Sequence, residues 1–269
     1  MTAARPVIVA LHCSGSTGRQ WSGLIERLGG SHDVHAPDLF GTASRGPWLG
    51  AREFSLADEA EPILALIDRA EAPAYLVGHS YGGGLALHVA LSRPDRVAGL
   101  ALYEPSSFHL LKGMGGEGIA ALSEITELVR AVDDGVLSGA YREAAARFVD
   151  YWGGSGAWAA MPPRLQAALV RYLPKACLDF RALIGAPGTL EDLRQLMCPC
   201  LIVRGEQAPR PTQLMAEVLA DHLPGATTAL IRGAGHMGPL THCSVVSGAI
   251  AEFITISKRV TARPAALAA

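Results

Sequence analysis

Six short apolar runs recur along the chain, each closed by glycine, proline or a polar residue. They are PVIVALH (6–12), DVHAPD (33–38), AYLVGHS (74–80), VAGLALYEP (97–105), PCLIVRGE (199–206) and TTALIRGAGH (227–236). Their apolar positions are continuous and do not alternate, which is the pattern of parallel strands buried on both faces. Helical patterns lie between them. WSGLIERLGG stops at Gly-Gly, QLMAEVLADHLPG stops at Pro-Gly, and SLADEAEPILALIDRAEA opens on Ser55 as N-cap with Asp58 three residues on. This alternation predicts an α/β fold: a mostly parallel sheet of about six strands with helices on both faces.

One segment breaks the rhythm. From 106 to 190 no strand is evident, and helical pieces (SEITELVRAVDDG, GAYREAAARFVDYW, PPRLQAALVRYL) are joined by glycines and prolines. Eight of the chain's sixteen aromatic residues fall there: Phe108, Tyr141, Phe148, Tyr151, Trp152, Trp158, Tyr172 and Phe180. Such a concentration fits a helical subdomain burying its own rings, and equally a lid (cap) with an apolar inner wall. The expected organisation is a core of 1–105 and 191–258, a helical cap of 106–190 and a tail of 259–269. Phe108, Trp152 and Trp158, with Met237 from outside the segment, are candidates to line a substrate cavity.

Composition narrows the class. At 49% hydrophobic residues the 269-residue chain can build a sizeable core, and its net charge of −2 gives no electrostatic reason for a nucleic-acid or membrane partner. The five cysteines (Cys13, Cys177, Cys198, Cys200 and Cys243) include no CxxC and no zinc-ligand spacing, so reduced thiols are expected. The N-terminus has only a five-residue apolar run, no stretch approaches the ~20 residues of a membrane span, and a cytoplasmic location is the expectation. No metal or cofactor is expected; the pair in HDVH (32–35) has no carboxylate partners at ligand spacing. The partner expected is a small-molecule substrate, and the oligomeric state is open.

The chemistry concentrates at YLVGHSYGGGLAL (75–87), where a strand runs into a helix through GHSYG, a G-x-S-x-G sequence at Gly78–Gly82. A serine on so sharp a turn holds its hydroxyl above the sheet edge, and the small residues two before and two after let strand and helix approach. A serine hydroxyl needs a base, and the base needs an orienting acid. Of nine histidines, His236 in GAGHMGP combines a strand end, a glycine-rich loop and a position after the serine. His12 and His79 sit at strand ends near the serine and fit supporting roles. An oxyanion would draw on the amide of Tyr81 and on that of Ser14 or Cys13 in the loop LHCSGSTGRQW. The Cys13 thiol itself reads as a small buried residue.

With these residues in view, the chain resembles an α/β-hydrolase of the lidded esterase and C–C-hydrolase type. The resemblance covers nearly the whole chain: LHCSGS in place of a His-Gly loop, APDLFGTASR, GHSYGG and GAGHMGP. It implies that Asp38 braces a loop, and that the sheet starts late, since the family usually has one or two strands before the first one here. Many members carry an Asp a few residues after the penultimate strand; this chain has Ala208 there. Some carry the acid at the end of the strand after the nucleophile, which here is Glu104, a charge closing an apolar strand and in need of a buried partner. Glu206 is the alternative acid. A serine nucleophile is unlike the carboxylate of haloalkane dehalogenases and epoxide hydrolases on this fold.

The expectation is thus a serine hydrolase with a Ser80–His236–Glu104 triad, cleaving a small-to-medium, fairly apolar ester or related acyl substrate. Left open beside it are a C–C bond hydrolase of a diketone-like compound, a lactonase or thioesterase, and a non-catalytic receptor on the same fold.

Overall fold

The computed structural model describes the backbone of residues 5–266 and the side chains of 5–258. Strands β1 (Val7–Leu11), β2 (Asp33–His35), β3 (Ala74–His79), β4 (Val97–Tyr103), β5 (Cys200–Gly205) and β6 (Ala226–Ile231) form one sheet in the order β2-β1-β3-β4-β5-β6, parallel throughout. The expected six-stranded α/β architecture is thereby present. The central strands are buried, as their unbroken apolar runs require. β6 exposes Thr227, Thr228 and Leu230 because it lies at the sheet edge, so its run is less buried than its sequence implies.

Ten helices follow the same chain order among the described residues: α1 (Ser22–Leu28), α2 (Leu56–Arg69), α3 (Tyr81–Ser92), α4 (Gly115–Ser138), α5 (Tyr141–Gly153), α6 (Ala157–Ala160), α7 (Pro163–Ile184), α8 (Arg210–His222), α9 (Gly238–Thr241) and α10 (Cys243–Ala266). Successive strand residues face opposite ways. Ile8, Ala10, Tyr75 and Val77 pack with Trp21, with Leu24 of α1 and with Val246, Ile250 and Ile254 of α10. Val9, Leu11, Leu76, Leu100 and Leu102 pack with α2, α3 and α8 on the other face. The Ser55 cap forms as its sequence predicts, with the Asp58 carboxylate accepting from the Ser55 backbone N–H at 2.9 Å.

Helices α4 to α7 form an insertion between β4 and β5. Its buried side chains, among them Ile125, Phe148, Leu173 and Phe180, belong to the same hydrophobic cluster as Leu76 and Leu102 of the sheet. α7 runs straight through Pro174 to Ile184, beyond the stop that the proline suggests. An interior proline costs a helix about 3 kcal/mol, and here Cys177, Phe180 and Leu183, all buried after it, offset that cost. α10 continues helically to Ala266, past position 259 where a tail was expected, and Val246, Ile250 and Ile254 anchor its first part; 267–269 lie outside the described residues. No helix of the described residues is long and apolar enough to cross a membrane.

At the base of the insertion His109 donates from Nδ1 to the Leu183 carbonyl at 3.2 Å. Burial pushes its pKa from 6.5 down to about 4. A histidine neutral in the native state and protonated in the unfolded one favours unfolding as pH falls below 6.5, and the effect levels off near 4. The contribution is at most about 1.4 kcal/mol per pH unit and less for a partly exposed ring. Urea midpoints measured from pH 7 to 4.5 are expected to fall less steeply for His109→Gln than for wild type; coincident slopes would refute this.

Candidate active site

The buried strand β3 ends at His79 and the chain reverses into α3 at Ser80, whose φ of 54° and ψ of −118° put it in a conformation rare for a side-chain-bearing residue. The neighbouring glycines are required by space. A Cβ on Gly78 would sit 2.4 Å from the Gly82 carbonyl oxygen, and one on Gly82 would sit 2.3 Å from that of Leu11. The Ser80 N–H donates to the Tyr103 carbonyl at 3.0 Å, and the Ser80 carbonyl accepts from Gly84 at 2.9 Å and Ser106 at 3.0 Å. The serine is therefore gripped by β4 and by its own helix.

Glu104 is the other non-glycine residue with positive φ (41°) among those described, and it stands at the end of β4 beside Ser80. Its carboxylate is fully buried. Oε1 accepts from the Gly205 N–H at 2.7 Å, and Oε2 accepts from Thr212 Oγ1 at 3.0 Å and His236 Nδ1 at 2.7 Å. The other face of the imidazole meets the serine: His236 Nε2 lies 2.9 Å from Ser80 Oγ. With a carboxylate at Nδ1, that nitrogen carries the proton and Nε2 is left to accept from the hydroxyl.

The loop carrying His236 is fixed from behind. His79 Nε2 donates to the His236 carbonyl at 2.8 Å, and the Tyr103 hydroxyl donates to the Gly235 carbonyl at 2.8 Å. Burial, and secondarily the nearby His236, holds His79 well below the usual imidazole pKa, so it is neutral. Trp152 covers His236 from the insertion, ring centres 4.4 Å apart. His12 is also neutral by burial and supports the first loop: Nδ1 donates to Cys13 O at 2.8 Å and Nε2 accepts from Leu39 N–H at 3.1 Å. Asp38 accepts from Gly18 N–H at 2.8 Å and from the Ser44 hydroxyl, bracing that loop.

A cavity of about 630 Å³ opens over Ser80 and His236, within the range of small-molecule sites. Of the four residues offered for a cavity wall, Trp152 and Met237 line it, and so do Cys13, Ser14 and Tyr81, which were expected for their amides. Phe108 and Trp158 do not. Phe108 turns into the core directly after β4, and Trp158 is a joint of the insertion, its N–H donating to Asp150 at 2.7 Å and its carbonyl accepting from Gln166 at 2.8 Å. The apolar wall instead comes from Phe148, Leu169, Phe180 and Leu183. Ser106, also unforeseen, lies with Oγ 3.2 Å from Ser80 Oγ; its place two residues after Glu104 was the available signal. Glu206 is exposed and accepts from Gly233 N–H at 2.8 Å, away from His236. His32 and His35 of HDVH bond separately, to Ser31 and Asp33. The Cys13 thiol is pushed up to about 12 by burial, and its amide donates to Gln20 Oε1 at 3.3 Å.

Residues 8–248 match the Alpha/beta hydrolase family, and the chain belongs to that family. It is 33% identical over 168 residues to Lipase LipV of Mycobacterium tuberculosis, a match covering 62% of this chain and only 57% of the lipase. It is 28% identical over 255 residues to a pimeloyl-[acyl-carrier protein] methyl ester esterase of Neisseria meningitidis serogroup B, covering 92% of each chain. The structure of MenH from S. aureus superposes with a TM-score of 0.74 at 19% identity, covering 96% of each chain, a likeness of fold.

Glu104→Gln removes the anion that is hydrogen-bonded to His236 Nδ1. Glu104→Gln is expected to lower turnover of an activated ester about 10²–10⁴-fold, while Glu206→Gln stays near wild type. Steady-state kinetics on the two purified variants decide; the reverse ranking would move the acid to the later loop.

Proposed function

We propose that the protein is a serine hydrolase that cleaves small-to-medium, fairly apolar carboxylic esters through an acyl-enzyme. The observation that carries this is the unbroken chain of hydrogen bonds from Ser80 Oγ through His236 to Glu104 at the floor of an apolar cavity. The names of the curated relatives, a lipase and a methyl ester esterase, both denote ester cleavage and support it.

Ser80 Oγ attacks the carbonyl carbon as His236 Nε2 takes its proton, and the imidazolium is held by Glu104 through Nδ1–H. The carbonyl oxygen becomes an oxyanion facing the amide of Tyr81 at the start of α3. The second donor comes from the first loop. The Cys13 amide is already engaged by Gln20, which leaves Ser14 for this role. Each such donor contributes about 3 kcal/mol in comparable sites. The protonated His236 then gives its proton to the leaving alkoxide, and water, deprotonated by the same nitrogen, releases the acid. Phe148, Leu169, Phe180 and Leu183 receive the apolar part of the substrate, and the insertion that carries them serves as a lid over the site. Exposed Arg19 on the cavity rim offers a cation to any polar end.

A fluorophosphonate probe tests this directly. Intact mass and peptide mapping are expected to show one adduct on the peptide containing Ser80, and none in Ser80→Ala. No adduct in folded wild-type protein, combined with thermal stabilisation by cavity-filling ligands, would instead mark a receptor built on this fold.

A further inference from the structure

The insertion helix α7 sends two charged side chains inward. Lys175 and Asp179, one turn apart, are both buried, and Glu59 of α2, also buried, joins them. Lys175 Nζ donates to Glu59 Oε2 at 3.0 Å and to Asp179 Oδ1, and its ammonium lies 4.4 Å from the Phe54 ring centre and 4.8 Å from that of Tyr81. Two carboxylates share one cation, so the remaining acceptor capacity must be met by neutral donors if the cluster is to stay buried. Four such donors are present. Glu59 takes the Phe40 N–H at 2.9 Å and the Tyr81 hydroxyl at 3.1 Å. Asp179 Oδ2 takes the hydroxyls of Ser14 and Tyr172, each at 2.6 Å.

Two of these donors stand out. Tyr81 and Ser14 are the residues whose amides face the developing oxyanion in the reaction proposed above, and both are tied by their side chains to one cluster that the insertion completes. The loop is also packed against the same helix: a Cβ on Gly15 would come 2.5 Å from Leu169 Cδ1. Resting on that assignment of the oxyanion donors, we propose that Asp179 and Lys175 are positioning residues that set the spacing between the Ser14 and Tyr81 amides. The helical insertion is then part of the oxyanion site's framework as well as its cover. Asp179 touches no substrate; it acts through Ser14.

A role confined to stability or to the cavity wall would change the melting temperature or KM. A role in aligning oxyanion donors changes kcat and the affinity for a tetrahedral adduct. In the full-length protein, Asp179→Asn is expected to lower kcat on p-nitrophenyl butyrate about 10- to 100-fold with KM within about threefold. Inhibition by a trifluoromethyl ketone, whose serine adduct carries an oxyanion, should weaken by a similar factor. Ser14→Ala cuts the same tie and leaves both ion pairs in place, so it should act in the same direction, and the double variant should be no worse than Asp179→Asn. If Asp179→Asn does not fold, Ser14→Ala carries the test alone. Amide hydrogen exchange of Ser14 and Tyr81, read by NMR, is expected to speed up roughly tenfold in the variants. Unchanged kcat, a loss confined to KM, or additive effects in the double variant would overturn the proposal, as would wild-type exchange at both amides. Turnover surviving in Ser80→Ala would overturn the hydrolase reading instead, and the exchange rates would still decide whether the cluster fixes the two amides.

Discussion

The site depends on the backbone at two adjacent strand ends. Ser80 and Glu104 each follow directly on a paired position, His79 opposite Tyr103, and each adopts a positive φ. Such conformations cost about 1–3 kcal/mol apiece and persist only where the surroundings over-determine them. Here the surroundings are specific. The Glu104 N–H is held by the Val203 carbonyl at 2.9 Å, the Ser80 N–H by the Tyr103 carbonyl, and the Ser106 N–H by the Ser80 carbonyl. The sheet thus carries the strain in its own ladder. The turn would not close without bare backbone at Gly78 and Gly82, which is why polar and glycine residues crowd a joint that core packing alone would fill with leucine.

That crowding also explains what was legible. A buried parallel strand, a G-x-S-x-G turn and a following helix leave marks of period and composition, so β3, Ser80 and α3 could be read directly. The contact between Glu104 and His236 was foreshadowed for a thermodynamic reason: a carboxylate closing an apolar strand must have a partner. Glu206 competed because a chain of residues does not show which way a loop turns. The structure sends it outward to the Gly233 amide. The rings of the insertion were legible as a group and illegible one by one. Trp152 and Trp158 lie six residues apart, yet one covers His236 and the other sits in the short helix that joins α5 to α7, a difference that tertiary packing decides.

The buried charges of α7 were hidden for a related reason. Lys175 and Asp179 at i,i+4 are the commonplace of a solvated helix face, where such a pair contributes little. What makes them a cluster is Glu59, 116 residues earlier in the chain, and no local pattern reports a contact of that range. The burial of Asp179 raises its pKa, against the pull of Lys175 and the hydroxyls. This is the signature of a carboxylate whose place in the fold is not set by solvation.

The same economy of charge governs the two imidazoles at the centre. His79 and His236 lie with ring centres 5.1 Å apart, close enough that one protonated ring disfavours the other. Only His236 has a carboxylate. His79 has a carbonyl to donate to, a buried Nδ1 without a hydrogen-bond partner among the described residues, and a proton affinity lowered first by burial and then by its neighbour. A proton leaving Ser80 in the proposed reaction therefore has one favourable destination. The second histidine contributes by staying neutral: it holds the His236 backbone in place without offering a competing site for the charge.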